Sequence, residues 1–442
     1  MMCTFGLTRH CIMPDCHWFK LRALALLVVL CSGLGFGQAG KDSSDTDANG
    51  TSLANRKYLL GDWGGKRDEL AEMGVVFDFY YVTDMQANPT GGLKQTQAAW
   101  NRVRGTMDID FGKFSSLHGL TFHITGLWQG NVNLGAEIGT IANPSGLVSA
   151  STTRLDSWWF QQALFNNKLF LRGGQIGAQD FYGDQLAYGG ALLIEPIDYA
   201  LGNLFGTVYE SFDPASTPAA EVRVVPEKHF YVKGAITAGN RNPYKQDPNG
   251  FHFVIANSGV TVSEAGFLIE QEANPNRKTY PGMYRVGGIY NGGQFADPVT
   301  GQLISSNHLT YYMAQQAVYR SKAGSNHGLD LFGTYDYSPK DVNEVNSETT
   351  AGAIYTGLFP GRPNDTLALG FVLSKVSSHF DEAYFVNGLP ILGSEKAVEI
   401  SYKFQVTPWL LIQPDYQHYA DVGANSQIPN ATVLGFRTKV TF

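Results

Sequence analysis

From residue 75 to residue 442 the chain reads with a period of two. Segments of roughly ten residues alternate apolar and polar side chains, separated by Gly, Asn, Asp, Pro and Ser. Successive side chains of a strand point to opposite faces, so each such segment has one wet face and one apolar face. In residues 102–111 one parity carries Arg102, Arg104, Thr106, Asp108 and Asp110, and the other carries Val103, Gly105, Met107, Ile109 and Phe111. In residues 397–406 Glu399, Ser401, Lys403 and Gln405 oppose Val398, Ile400, Tyr402, Phe404 and Val406. The last segment sets Arg437, Lys439 and Thr441 against Leu434, Phe436, Val440 and Phe442.

Sixteen segments carry this pattern: 75–85, 100–111, 118–129, 153–162, 168–177, 219–226, 229–238, 263–271, 282–291, 309–320, 326–337, 348–359, 365–377, 395–406, 408–420 and 431–442. The pattern of 153–162 does not say which side is polar. A soluble sandwich also alternates, with its polar face in water. Two features speak against it. The polar parity mixes Arg, Asp, Glu and Lys at the same levels, as a wet lumen requires. Aromatic residues also sit near segment ends (Trp100, Trp128, Trp158, Trp159, Trp409, Tyr80, Tyr81, Tyr311 and Tyr312), as in the interfacial girdles of membrane barrels. The reading is all-β, a transmembrane antiparallel β-barrel ending on an apolar-parity Phe442.

Composition supports this class. Charged residues make up 16% of the chain, against about 25% in soluble domains, and aromatics 13%. The net charge of −7 denies nucleic acid the basic face it needs. No apolar run approaches the length of a membrane helix.

The N-terminus reads as an export signal. Lys20 and Arg22 precede a short apolar stretch, and Gly37-Gln38-Ala39 offers small residues for cleavage, so residues 1–39 are assigned as a signal peptide. All four cysteines (Cys3, Cys11, Cys16 and Cys31) lie within it, which leaves the remaining chain no disulfide and no thiolate metal site. Residues 40–74 form a polar linker followed by a helix over 62–73, with Asp62 as cap and Gly74 as stop. Asp45 to Gly50 copies half a calcium loop, but Arg56 stands where a bidentate Glu is required. No metal or other cofactor is expected. Residues 178–218 connect two segments without alternation and are rich in Gly, Leu, Tyr and Pro, which suits an ordered loop folded into the barrel.

Several stretches carry a resemblance. LGDWGGKR at 60–67, followed by Leu70, Gly74 and Val75, resembles the opening motif of the carbohydrate-selective porin family (OprB type). Residues 155–180, 352–365 (GAIYTGLFPGRPND), 399–414 and 433–442 are similar to that family too. The stretch at 240–310 matches poorly. The resemblance implies a sixteen-stranded bacterial outer-membrane barrel over 75–442 with a periplasmic N-terminal helix. It also implies a passive channel narrowed by inward loops that favours neutral sugars, glucose above all.

A sugar offers hydroxyls at its rim and C–H groups on its faces. A selective pore therefore needs hydrogen-bonding side chains and aromatic planes, with binding weak enough for release. Parity assigns Arg102, Arg104, Asp108, Asp110, Arg172, Glu221, Arg223, Glu399, Lys403, Arg437 and Lys439 to the lumen. Asp180 and Asp184 are candidates for the constriction, and Trp158 or Trp159 for a stacking platform. The expected partners are monosaccharides or small oligosaccharides and outer-membrane lipid, in a monomer or homotrimer. Enzymatic motifs are absent. Asp108 and Asp110 share a strand face at a spacing that would suit glycoside hydrolysis, but the flanking arginines read better as charge balance. The alternatives are a weakly selective general porin or an exported soluble glycan-binding or glycan-cleaving protein.

Overall fold

The computed structural model describes residues 51–442, apart from 178–179, 182–189, 199–207, 209–213, 240–242, 256–258, 271–279 and 324. The export segment, its cysteines and Asp184 lie outside the described residues.

Each of the sixteen alternating segments forms one strand: β1 (Val75–Thr90), β2 (Thr96–Asp110), β3 (Leu120–Asn131), β4 (Thr152–Leu164), β5 (Leu169–Ile176), β6 (Thr217–Glu227), β7 (Phe230–Ala238) and β8 (Gly259–Ile269). The second half comprises β9 (Gly282–Asn291), β10 (Asn307–Arg320), β11 (Gly328–Tyr337), β12 (Val345–Thr356), β13 (Thr366–Val376), β14 (Ser394–Thr407), β15 (Leu410–Ala420) and β16 (Ala431–Thr441). Consecutive strands pair antiparallel, and β16 returns to β1 to close the barrel. The closing register sets Val82 opposite Lys439 and Asp84 opposite Arg437. Closure leaves no wall strand with an unpaired edge, the condition for crossing a bilayer as strands.

Alternation sorts the side chains as expected. Ile400, Leu369, Leu434, Phe436 and Ile236 are exposed on the outer face, while Glu399, Gln413 and Gln417 are fully buried on the inner one. A soluble protein does not leave such an apolar band open around its circumference. Among the aromatics, Trp128 and Tyr312 face out, whereas Trp100 and Tyr311 are buried. Position near a strand end is therefore not enough to place a ring in the outer girdle; parity decides.

The ambiguity of residues 153–162 has a physical cause. The β3–β4 register passes from Thr125 opposite Ser157 to Gly126 opposite Leu155, so Asp156 is an inserted bulge residue. A bulge reverses the parity beyond it. Arg154, Asp156 and Ser157 are consequently all buried.

The core lies inside the barrel, between the wall and two chain segments. One follows β3 and includes α1 (Leu134–Ile138); the other, at 190–198, lies in the long connection after β5 and includes α2 (Glu195–Asp198). Leu192, Leu193, Ile194 and Ile197 are almost fully buried, each contributing about 1.5–3 kcal/mol. Gly370 of β13 makes room for them, since a Cβ there would stand 2.6 Å from Ile197 Cδ1.

The helix before β1 is shorter than its sequence pattern suggests, spanning Lys66–Glu72. Trp63, Gly64 and Gly65 all have positive φ (57°, 69° and 86°), which breaks the helical path. Asp62 does not cap the helix; its Oδ1 accepts the Gly64 N–H at 3.1 Å.

Candidate functional site

Strand parity places a continuous belt of polar side chains on the inner wall, and the two inward segments hang from it. On β14 the Glu399 carboxylate accepts the Leu193 N–H at 2.5 Å and the Ile194 N–H at 3.0 Å. On β15 Gln413 donates to the Ala191 carbonyl at 3.0 Å. At the seam Arg437 of β16 binds Asp84 of β1 through two hydrogen bonds and reaches Asp198 Oδ2 at 3.1 Å.

The earlier segment is held in the same way. Gln417 and Gln86 both donate to the Pro144 carbonyl, at 2.9 and 2.8 Å. Asp84 accepts the Ser145 hydroxyl at 2.5 Å. Arg102 of β2 donates to Gln129 Oε1 at 2.7 Å and to the Leu147 carbonyl at 3.1 Å. At the strand start Glu395 takes the N–H groups of Ile141 and Ala142. The segments are fastened across the barrel interior, and they narrow it.

A second group of charges remains closer to the open lumen. Arg104 pairs with buried Asp156 at 2.9 Å and keeps 15% of its side chain exposed. Asp108 is 55% exposed and bonds His123 Nδ1 at 2.7 Å. The imidazole of His123 stacks on Trp159 with centroids 4.7 Å apart. The Arg172 guanidinium lies 4.4 Å from the same indole and donates to Gln161 Oε1 at 3.0 Å and to the Asp180 carbonyl at 2.7 Å. The Asp180 carboxylate accepts the Gly177 N–H at 2.9 Å. Lys439 lies over the Tyr80 ring at 4.3 Å. Among the described residues the ammonium groups of Lys403 and Lys439 have no hydrogen-bond or ion-pair partner.

The structure therefore divides the residues picked by parity. Arg102, Glu399 and Arg437 hold the inward segments. Arg104, Asp108, Arg172, Lys403 and Lys439 form the more open set, with Trp159 covered by its neighbours; the Asp180 side chain is only 8% exposed and lies 4.0 Å from His123 Nε2. Glu221 is buried opposite Arg172 in the β5–β6 register. Arg223 lies over the Tyr231 ring at 4.7 Å. Asp110 ends β2 and caps the turn after it by accepting the Gly112 N–H at 3.0 Å. Trp158 has the parity opposite to Trp159 and meets Phe253 at 6.1 Å.

Sequence reasoning missed several holding residues. Glu395, Gln413 and Gln417 share the polar parity of their strands and were legible there. Asp84 was hidden because Tyr80 and Val82 precede it on the same parity. Glu264 of β8 lies in the poorly matching stretch, where it gathers Tyr231 and Tyr311 hydroxyls at 2.6 and 2.8 Å and Lys233 Nζ at 3.1 Å.

Comparison with known proteins agrees with this architecture. The family described as "Carbohydrate-selective porin, OprB family" matches residues 94–442. Porin B of Pseudomonas aeruginosa is 26% identical over 431 residues, covering 88% of this chain and 92% of that protein. The high-pH structure of Pseudomonas putida OprB superposes with a TM-score of 0.81 at 23% identity, over 89% of this chain and all of that one. The low-pH structure of the same protein gives 0.54 at 19% identity, over 88% of this chain and 99% of that one. The chain belongs to the OprB family of carbohydrate-selective porins and is a sugar-selective channel of the bacterial outer membrane.

Proposed function

We propose that the channel passes neutral monosaccharides and small oligosaccharides of glucose-like chemistry by passive diffusion, and that the inward segments set its width. The observation that carries this reading is the Glu399 carboxylate, which fastens Leu193 and Ile194 inside the barrel. In this reading Arg104, Asp108, Arg172, Lys403 and Lys439 offer donors and acceptors to sugar hydroxyls. Mixed signs keep the path from retaining ions. Each contact is weak, as conduction demands.

Residues 1–39 act as the signal peptide, residues 40–74 lie on the periplasmic side, and residues 75–442 span the membrane in contact with lipid. A monomer and a homotrimer both suit this arrangement. Liposome swelling with a panel of solutes tests the reading. Glucose and small oligosaccharides enter faster than amino acids or salts of similar size. Equal rates across the panel would mean a general porin.

A further inference from the structure

The barrel end opposite Phe442 holds a cavity of about 540 Å³, lined in part by Ile141 of the first inward segment. That size lies within the ~300–1,000 Å³ common for small-molecule sites. Its walls come from four stretches: 139–141, 344–345, 384–392 and 423–428. The second precedes and opens β12. The third begins in α3 (Ser378–Val386), the helix between β13 and β14.

Hydrogen bonds hold these walls together. The Glu395 carboxylate binds the N–H groups of Ile141 and Ala142 and also that of Gly423, at 2.9, 2.8 and 2.7 Å. Asp381 accepts the Leu392 N–H at 2.9 Å. The Gly393 N–H donates to the Ala424 carbonyl at 2.8 Å. Ile141 belongs to the segment that narrows the lumen, so the cavity adjoins the route a solute takes inward.

The lining is chemically specific. Tyr384 donates its hydroxyl to Glu344 Oε1 at 2.7 Å, and Glu344 Oε2 has no partner among the described residues. Asn425 Oδ1 accepts the Gln427 N–H at 2.9 Å, which leaves its amide NH₂ available. Burial and the Glu344 bond push the Tyr384 phenol up to about 12, so it remains a donor at any physiological pH. Ile141, Pro390 and Leu392 supply apolar surface. No Lys, Arg or His lines the cavity, so an anion finds no counter-charge. A free carboxylate oxygen, a free amide donor and apolar planes together match a polyol ring with hydroxyls on its rim and C–H groups on its face.

We infer that this cavity is a saccharide subsite at the channel mouth, where a neutral sugar is held before it passes the inward segments. The inference rests on the sugar-channel reading and adds a place of first contact. The test uses the full, folded protein in planar bilayers, with glucose added to one side at a time. The association rate is read from sugar-induced current noise. Glu344→Gln and Asn425→Ala each lower the rate severalfold for sugar added on the side of the cavity (the loop side, opposite Phe442), while the rate from the other side keeps its wild-type value. Unchanged loop-side rates in the variants overturn the subsite and leave the sugar channel standing. A wild-type current that no sugar modulates overturns both. Should a variant yield no channels, Tyr384→Phe, which removes one hydroxyl, decides by the same comparison.

Discussion

Arg437 and Asp84 face each other across the closing seam of the barrel, joined by paired hydrogen bonds of 2.7 Å (Nε to Oδ1) and 2.8 Å (Nη2 to Oδ2). The pair does two jobs: it locks β16 to β1, and it carries the Ser145 hydroxyl and the Asp198 carboxylate of the two inward segments. Closure and narrowing are therefore coupled at one point.

Breaking this pair is costly because each charge would be left buried without its partner. Arg437→Gln or Asp84→Asn is expected to lower stability by about 3–5 kcal/mol. The temperature at which the folded form converts to the slower-migrating unfolded form on gels reads the effect. An unshifted transition would show that the pair is incidental.

The Glu399 contact is expected to act on width more than on stability. Glu399→Ala strands the Leu193 and Ile194 amides, and an unsatisfied buried donor costs about 1–3 kcal/mol. Leu193 and Ile194 then lose their tether to β14 while Gln413 and Arg437 still hold Ala191 and Asp198, and the loosened segment raises single-channel conductance while sugar discrimination falls. Unaltered conductance would mean that this segment does not set the bore.

The N-terminal clasp offers a separate test. Arg67 donates to the Phe442 carbonyl at 2.8 Å, and its guanidinium sits 3.7 Å from the Tyr58 ring centroid and 4.2 Å from that of Trp63. Trp409 donates to the Leu53 carbonyl at 2.8 Å nearby. Arg67→Ala is expected to cost about 1–3 kcal/mol through the lost hydrogen bond and ring contacts, measured by denaturant unfolding in detergent. Lys is a poor replacement, because an ammonium cannot lie flat on both rings.

The turn between β12 and β13 introduces a pH dependence. Burial would raise the Asp365 carboxyl, but Arg362, the Gln405 N–H and the Tyr402 hydroxyl outweigh it and hold the group below the ordinary carboxylate range. A depressed folded value means that its contribution is complete above the unfolded value of about 3.9 and is lost as pH falls through the folded one. Asp297, held at about 2 chiefly by the Thr300 N–H, behaves in the same sense. Stability should fall as pH drops from about 4 toward about 2, and less steeply in Asp365→Asn than in the wild type. Parallel slopes for the two proteins would contradict this assignment.

The alternating segments were legible because a closed wall imposes a period of two, while the exact number of sixteen leaned on the family resemblance; every one of the segments forms a strand. Residues 153–162 were not assignable, since one inserted residue at Asp156 reverses the parity there. The site was only half legible. Parity shows that Glu399 points inward, but its amide partners lie more than 200 residues away, so nothing local distinguishes a loop anchor from a lumen-facing carboxylate. Asp62 misled for a different reason: its sequence context suits a helix cap, but three left-handed residues follow it.

The most direct measurement is single-channel recording of the purified, folded protein in a planar bilayer, with glucose titrated into salt solution. Discrete conductance steps that glucose lowers in a saturable way are expected. Absence of steps, or steps that no sugar alters at any concentration, would contradict a sugar-selective channel.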